Sequence, residues 1–224
     1  MPRLLTKIGT CVLACLAIGA VGASTAMGEA TPDRFTSQTY PVTVHGLEKH
    51  GDTTIVTEAG TVGCDVTLHG ELGEASQTLT LKPTYVNCTA FGFLSATVAA
   101  EGCHRLYHVT TKLGADRYQA HLDNTCPEGQ SIKITAGTCK LEIKGQTALT
   151  TVDIDDMTTS PPSLNDITIK DTVEGVKYTV TQDGFGCPFG GTGNKTDGQF
   201  TSHGALTLRG YIPGTGTQQA IHIG

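Results

Sequence analysis

Hydrophobic and polar residues alternate with a period of two along most of this chain, which is the pattern expected of β-strands. The clearest example is the stretch 101–129, EGCHRLYHVTTKLGADRYQAHLDNTCPEG. A four-residue loop at 113–116 predicts a β-hairpin in which Cys103 lies opposite Cys126. In this register one face is mostly apolar and the other is polar. The apolar face is predicted to contain Arg105, Tyr107, Val109 and Thr111 opposite Asn124, Leu122, Ala120 and Tyr118.

The same alternation predicts strands along the rest of the chain. They are expected at residues 39–45, 53–57, 61–70, 78–85, 94–100, 131–135, 138–145, 167–170, 176–181, 199–209 and 220–223. The Pro-rich stretch 158–163 predicts a connector, and residues 87–93 predict a loop. An apolar period of 3.6 residues never persists for three turns. The sequence therefore predicts an all-β, antiparallel, β-sandwich-like fold.

Weak internal similarity indicates an alternative organisation of the same strands. The matching segments are 60–70 with 137–145, 101–102 with 174–175, 107–110 with 178–181, and 126–127 with 187–188. Their order along the chain is the same in both copies, which predicts two tandem related β units at 38–130 and 131–224. Chance similarity between Thr- and Gly-rich strands is the other explanation.

The N-terminal segment has the pattern of a secretory signal. Arg3 and Lys7 precede an uncharged apolar run at 8–21, and small residues follow it. We predict a signal peptide at 1–26 cleaved after Ala26, with Ala23 and Ala30 as alternative sites. A lipoprotein signal ending at Cys15 is disfavoured because the preceding apolar run is short. Residues 27–37 are polar and predict a flexible lead, and residues 38–224 form the all-β region.

Charge and hydropathy exclude two classes of partner. The formal net charge is −6, and it becomes more negative when Arg3 and Lys7 leave with the signal. Nucleic acid is an unsuitable partner because no cluster of Lys and Arg offers the basic surface that it requires. After the signal, no hydrophobic segment is long enough to span a membrane. We therefore expect a secreted, extracellular protein.

The cysteine pattern predicts disulfide bonds. Six cysteines remain after the signal is removed, an even number in an exported chain that has no Trp. The hairpin register favours Cys103–Cys126, the next most local pair is Cys64–Cys88, and Cys139–Cys187 then remains. A rival set keeps the last bond and pairs Cys64 with Cys126 and Cys88 with Cys103. A zinc site is disfavoured because the chain has no Cys-x-x-Cys motif.

Two groups of side chains could in principle bind a metal ion. His108 and His121 lie opposite each other on the polar face of the hairpin, where they could share zinc or copper. Solvated histidines are favoured, since the sequence places no third ligand beside them. Asp153, Asp155 and Asp156 could bind calcium, but the spacing of a calcium loop is missing and solvated carboxylates are favoured. We therefore predict no metal and no cofactor.

No sequence motif of a known catalytic centre is present. The chain lacks Gly-x-Ser-x-Gly, His-Glu-x-x-His, Ser-x-x-Lys and a phosphate-binding Gly-rich loop that opens a helix. No catalytic residue is predicted. The favoured function is a non-catalytic role, either structural or in binding a ligand or a cell-envelope component. The alternative is an exported hydrolase of an unrecognised type, and the sequence does not indicate the oligomeric state.

The cysteines and their flanking residues resemble a known group of proteins. The segments that carry the resemblance are 59–64, 85–92, 102–103, 131–139 and 183–188. Together they are similar to an uncharacterised family of exported actinobacterial all-β proteins with six cysteines in the mature chain. The resemblance covers most of the mature chain and implies secretion and a shared scaffold. It implies no activity, because the function of that family is unknown.

Overall fold

A computed structural model describes residues 32–57, 60–157, 166–170, 172–184, 187, 191–202 and 206–224. The predicted signal peptide at 1–26, residues 27–31 of the predicted lead and the connector at 158–163 lie outside the described residues. The described residues contain β-strands and turns but no helix, so the all-β prediction is confirmed. From Pro32 to Gly224 they belong to one compact unit.

Sixteen strands occur in the described part of the chain. They are β1 (Phe35–Ser37), β2 (Val42–Thr57), β3 (Gly60–Leu72), β4 (Thr78–Ala90), β5 (Leu94–Ala99), β6 (His104–Lys112), β7 (Arg117–Thr125), β8 (Ile132–Ala136), β9 (Cys139–Ile143), β10 (Gln146–Met157), β11 (Asp166–Lys170), β12 (Thr172–Gln182), β13 (Gly193–Ser202), β14 (Leu206–Tyr211), β15 (Gln218–Gln219) and β16 (Ile221–Ile223). All of their pairings are antiparallel.

Fourteen of these strands form one continuous sheet that closes on itself twice. The first ring of hydrogen-bonded strands runs β2-β3-β4-β6-β7-β10-β11-β14 and returns to β2. The second ring runs β2-β3-β4-β5-β8-β9-β12-β13 and also returns to β2. Strands β2, β3 and β4 are therefore common to both rings. Closing a sheet in this way satisfies the backbone groups that an open edge would expose.

The length of β2 explains how it serves both rings. Its first part, Thr43–Leu47, pairs with β14, and its last part, residues 53–56, pairs with β13. Between these parts the pairing of β2 with β3 shifts between Glu48 and Thr53. Such an irregularity bends a strand and increases its twist. The bend at Glu48–Thr53 therefore lies where β2 leaves the first ring and enters the second.

The apolar positions predicted from the alternation form the interior of both rings. In β3 and β4 the inward positions are completely buried or nearly so, including Val62, Val66, Leu68, Leu79 and Leu81. The same alternation holds in the strands that complete each ring. The largest fully buried side chains are Tyr107, Phe35, Leu68, Leu79, Leu81, Ile134, Leu141, Ile154, Ile167, Ile169 and Leu206. Burial of apolar area of this kind is the main favourable contribution to folding.

The prediction of a flexible lead at 27–37 is wrong for its last three residues. Phe35–Ser37 form β1, which pairs with the C-terminal strand β16. The side chain of Phe35 is fully buried, and its backbone exchanges hydrogen bonds with Ser76. The polar composition of the segment conceals the anchoring role of Phe35. This anchor also fixes the C-terminus, because Arg34 and Gly224 bond to each other through their backbones.

The predicted hairpin is present as β6 and β7, with one correction. Cross-strand pairs follow the predicted register from His104 opposite Thr125 to Val109 opposite Ala120. Beyond Val109 the register shifts by one residue, so Thr111 lies opposite Gln119 rather than Tyr118. The predicted apolar face is buried from Arg105 to Val109 and along β7, whereas Thr111 is exposed.

The structure contains the three disulfide bonds that the sequence favours. Cys64–Cys88 joins β3 to β4, Cys103–Cys126 closes the open end of the hairpin, and Cys139–Cys187 ties β9 to the segment after β12. The predicted loop at 87–93 is wrong at its start, because β4 continues to Ala90 and carries Cys88 within it. Three bonds of this kind are typical of proteins that fold in an oxidising compartment.

The sandwich-like packing and the tandem repeat stay predictions. The strands of residues 38–130 and 131–224 are interleaved in one sheet, since β2 pairs with β13 and β14 while β5 pairs with β8. Each ring therefore takes strands from both halves of the chain. If the two halves arose by duplication, each half pairs its strands with strands of the other half. They do not form two separate sheets.

Candidate functional site

An apolar cavity lies inside the second ring, on the side that faces β6, β7 and β10 of the first ring. Its volume is about 60 Å³. The apolar part of its lining consists of Ile55, Tyr85, Leu122, Ile132, Leu141, Ile143, Leu149, Val173, Val176, Tyr178 and Phe200. Most of these residues are inward positions of alternating strands. The cavity is small beside pockets for drug-sized ligands, which occupy roughly 300–1,000 Å³.

Arg105 is one of the polar residues that line the cavity, and it belongs to a buried ion pair. Nη1 of Arg105 on β6 lies 3.4 Å from Oε1 of Glu48, at the bend of β2. Both side chains are almost completely buried, with exposed fractions of 6% and 2%. Thr53, on the other side of the bend, donates its hydroxyl to the second oxygen of Glu48. Burial of a charge is costly unless it is paired and hydrogen-bonded, and these contacts give each of the two charges a partner.

Arg105 also contacts the apolar part of the lining. Its guanidinium carbon lies 4.2 Å from the ring centroid of Phe200 on β13. A guanidinium over an aromatic face is attracted by the negative face of the ring. Arg105 therefore connects β6 of the first ring to β2 and β13 of the second. The sequence places Arg105 on the apolar face of the hairpin, but no local pattern indicates Glu48 as its partner.

A bulge in β10 supplies one wall of the cavity. The pairing of β10 with β7 shifts between Gln146 and Thr150, and Ala148 has a positive φ of 51°. The backbone N–H of Ala148 is bonded to Oδ1 of Asp123 at 2.6 Å. Bulges re-aim side chains, and here Leu149 lines the cavity. The weak alternation of residues 146–156 in the sequence reflects this irregularity.

Gln146 holds β10 of the first ring against β12 of the second. Its side-chain amide donates to the carbonyl of Lys177 at 2.9 Å and accepts from the N–H of Lys177 at 2.8 Å. One side chain thereby replaces a pair of backbone hydrogen bonds between strands. Because Gln146 and Leu149 both line the cavity, this contact fixes the wall that the bulge creates.

A second, more open depression adjoins the cavity from outside. Its volume is about 380 Å³, and it shares Thr57, Gly198 and Gln199 with the cavity lining. Two carboxylates also line it. Glu174 accepts a hydrogen bond from Gln199, and Asp197 accepts one from Tyr178. A route into the apolar cavity from this side would therefore pass an acidic entrance.

The histidine pair of the predicted hairpin is in the predicted register. His108 and His121 lie opposite each other on β6 and β7, as predicted. Nε2 of His108 lies 3.3 Å from Oδ2 of Asp123, so His108 contacts a carboxylate on the neighbouring strand. No contact joins the two imidazole rings among the contacts of the described residues. That these two histidines are solvated and hold no metal stays a prediction.

The predicted aspartate group is divided between two environments. Asp153 and Asp155 lie at the surface, where Arg117 approaches both and Lys170 approaches Asp155. Asp156 points the other way and accepts a hydrogen bond from the N–H of Ile223 at 3.0 Å. Burial raises the pKa of Asp156, and the bond from Ile223 opposes that rise. These carboxylates therefore serve ion pairs and a strand contact.

His45 and His69 form a second pair of opposed histidines, in which the two rings are in contact. His45 on β2 lies directly opposite His69 on β3, and the two ring centroids are 4.6 Å apart. Both residues fall at polar positions of predicted strands, but their partnership depends on the register of β2 with β3. Among the described residues, no group of three or more His, Cys, Asp or Glu side chains could hold a metal ion.

Comparisons with known proteins give no assignment. No family model, curated protein or solved structure matches this chain. Within the described residues, no helix has the length and apolar character needed to cross a membrane.

Proposed function

We propose that this chain is a secreted, non-catalytic binding protein that holds a small apolar group in the cavity of the second ring. The observation that carries the proposal is the cavity itself, which has a mainly apolar lining that also includes Arg105 of the buried ion pair. Natural binding sites combine a mainly hydrophobic lining with a few fixed polar groups. The three disulfide bonds support export, because such bonds persist in oxidising compartments.

The size and surroundings of the cavity define the class of ligand. A volume of about 60 Å³ admits the end of an aliphatic chain, since a cavity that binds benzene measures about 150 Å³. The rest of the ligand would lie in the adjoining depression of about 380 Å³. The acidic entrance lined by Glu174 and Asp197 favours a neutral or cationic head group at the other end of such a ligand. We therefore propose a small amphiphile with an apolar tail, consistent with a component of the cell envelope or of the surrounding medium.

The alternative of an exported hydrolase stays a prediction. The polar groups at the cavity are engaged in structural contacts: Arg105 with Glu48, Asp123 with Ala148 and His108, and Gln146 with Lys177. A group held in this way is poorly placed to attack or to protonate a substrate. No observation at the cavity favours hydrolysis over binding.

A titration with three eight-carbon probes tests the proposal. Octylammonium, n-octanol and octanoate share one tail and differ in head-group charge. We expect methyl NMR signals of Leu149 and Leu141 to shift on binding, with affinity in the order octylammonium, octanol, octanoate. Absence of any shift up to the solubility limit of all three probes would sink the proposal.

A matched pair of variants locates the binding. Leu149→Phe adds volume to the cavity wall, whereas Leu113→Phe makes the same change at an exposed position of the hairpin loop. We expect Leu149→Phe to weaken octanol binding at least tenfold and Leu113→Phe to leave it unchanged. Equal binding by both variants would place the ligand elsewhere and contradict the proposal.

A further inference from the structure

His45 and His69 lie on the outer face of the first ring, away from the cavity. They occupy directly opposed positions of β2 and β3, and their ring planes are 74° apart. Tyr211 of β14 lies beside them, with its ring centroid 5.0 Å from that of His45. The three rings line an open depression of about 570 Å³ together with Thr67, Thr207 and Arg209. Both histidines are exposed and can meet a solute directly.

The separation of the two imidazoles matches that of two ligands of one metal ion. A zinc or copper ion lies about 2.0–2.1 Å from a histidine nitrogen, which puts the ring centroid about 3.2 Å from the metal. Two such rings at angles of about 90–109° around the metal have centroids roughly 4.5–5.2 Å apart. The centroids of His45 and His69 are 4.6 Å apart. Because both side chains are exposed, they are free to rotate so that a nitrogen of each ring faces a common ion.

The surrounding charges permit a divalent cation at this position. Arg209 lies opposite His45 on β14, and its Nε is bonded to Asp166 at 3.0 Å. Lys82 lies opposite His69 on β4, and Glu71 follows two residues after His69 on the same face of β3. The two cations near the pair are thus accompanied by two carboxylates. The local charge does not oppose a metal ion.

We propose that His45 and His69 bind one divalent transition-metal ion on the outer surface of the first ring, with water completing the coordination. Imidazole nitrogens suit copper, nickel and zinc, and among these the affinity of a given site is highest for Cu²⁺. The site is independent of the cavity, because the two lie on opposite faces of the shared strands. It is formed by two protein ligands, so it takes up and releases metal more readily than a closed structural site with four.

Calorimetry with CuCl₂ and ZnCl₂ on the full chain tests this proposal. Cys11 and Cys15 lie outside the described residues and are changed to serine, so that their thiols cannot compete. We expect one equivalent of Cu²⁺ to bind more tightly than Zn²⁺, and an electron paramagnetic resonance spectrum with coupling to two nitrogens. Failure to bind either metal above background would overturn the proposal.

The two histidine pairs of this chain provide a matched control. His69→Ala and His45→Ala each remove one ligand from an exposed position, and we expect each to weaken Cu²⁺ binding at least tenfold. His108→Ala makes the same change in the pair that lies opposite His121, and we expect it to leave the first equivalent unchanged. Loss of that equivalent in His108→Ala, or its retention in both His45→Ala and His69→Ala, would refute the assignment. Unchanged melting temperatures of the variants would exclude unfolding as the cause.

Discussion

Arg105 and Glu48 form an ion pair at 3.4 Å in which both side chains are almost completely buried. The two residues are far apart in the sequence and come from strands of different parts of the fold. Glu48 lies at the bend where β2 passes from one ring to the other, and Arg105 lies on β6 of the first ring. The pair therefore joins the interiors of the two rings at the point where they share a strand.

Removal of one partner should destabilise the protein strongly. Arg105→Met keeps most of the side-chain volume but leaves Glu48 buried without the guanidinium. Breaking a buried pair in this way costs about 3–5 kcal/mol, because a charge remains without its partner. Denaturant unfolding with the disulfide bonds intact measures this loss.

The double variant Arg105→Met with Glu48→Met is the control for this prediction. Replacing both partners by apolar residues of similar volume is often neutral or stabilising. We therefore expect the double variant to be more stable than Arg105→Met alone. Equal or greater loss in the double variant would mean that the two charges do not stabilise each other.

The Cys103–Cys126 bond should make a large contribution to stability. It closes a loop with a sequence separation of 23 residues at the open end of the hairpin. The loss of loop-closure entropy in the unfolded chain predicts about 3 kcal/mol for a loop of this length. We expect the variant with Cys103→Ala and Cys126→Ala to lose about that amount in denaturant unfolding. An unchanged free energy of unfolding would contradict a stapling role for this bond.

Peptide mapping under non-reducing conditions checks the connectivity separately. A peptide that links Cys103 to Cys126 is expected. A peptide that links Cys103 to Cys88 would instead support the rival pairing that the sequence leaves open.

Local pattern predicts the hairpin and most of the strands, because alternation and the turn at 113–116 are properties of neighbouring residues. It does not predict β10, whose alternation is weak. The predicted register of β6 with β7 is correct as far as Val109. Beyond Val109 a bulge shifts the pairing, and no sequence pattern predicts this bulge. A second error of this kind concerns the turn between β8 and β9. Ala136 pairs with Cys139, so Gly137 and Thr138 form the turn that the sequence places at Ala136 and Gly137.

The closure of the two rings could not be predicted from local pattern. It requires β2 to pair with β13 and β14, which lie more than a hundred residues later. Alternation identifies which residues face inward but not which distant strand lies beside them. The cavity and the Arg105–Glu48 pair depend on contacts between strands that are distant in the sequence, whereas the His45–His69 pair depends on the register of β2 with β3. The sequence therefore places Arg105, His45 and His69 on a face of a predicted strand without naming their partners, and it places Glu48 in no predicted strand.

Gly70 should tolerate no side chain. An added Cβ would lie 2.4 Å from the backbone oxygen of Thr80 on the neighbouring strand β4. Backbone cannot rotate away as a side chain can, so the two strands must separate. We expect Gly70→Ala to lower the free energy of unfolding by about 1–3 kcal/mol.

Gly73→Ala is the matched control, because an added Cβ at Gly73 has no heavy atom within 4 Å. This change should leave stability within about 0.5 kcal/mol of the parent. Thermal and denaturant unfolding of both variants provide the comparison. A loss in Gly73→Ala as large as that in Gly70→Ala would show that contact with Thr80 is not the cause.

Asp156 should make stability depend on pH in the acidic range. Burial raises the pKa of its carboxyl group in the folded protein, with a smaller opposing effect from the hydrogen bond of Ile223. Between the ordinary pKa and the raised one, the folded state binds more protons than the unfolded state. The contribution of Asp156 to the free energy of unfolding therefore falls as pH rises through this interval. At pH values above this interval Asp156 is a buried carboxylate, and its charge destabilises the folded state.

Asp156→Asn should remove this dependence while keeping an oxygen that accepts the N–H of Ile223. We expect this variant to be more stable than the parent at neutral pH and to lose the advantage as pH falls through the interval. Asp156→Ala also removes the charge but leaves the N–H of Ile223 without its acceptor, so it should be less stable than Asp156→Asn at every pH. Unfolding curves of the three proteins at closely spaced pH values measure both effects. If the parent is as stable as Asp156→Asn at pH values above the raised pKa of Asp156, the buried charge has no destabilising effect at this position.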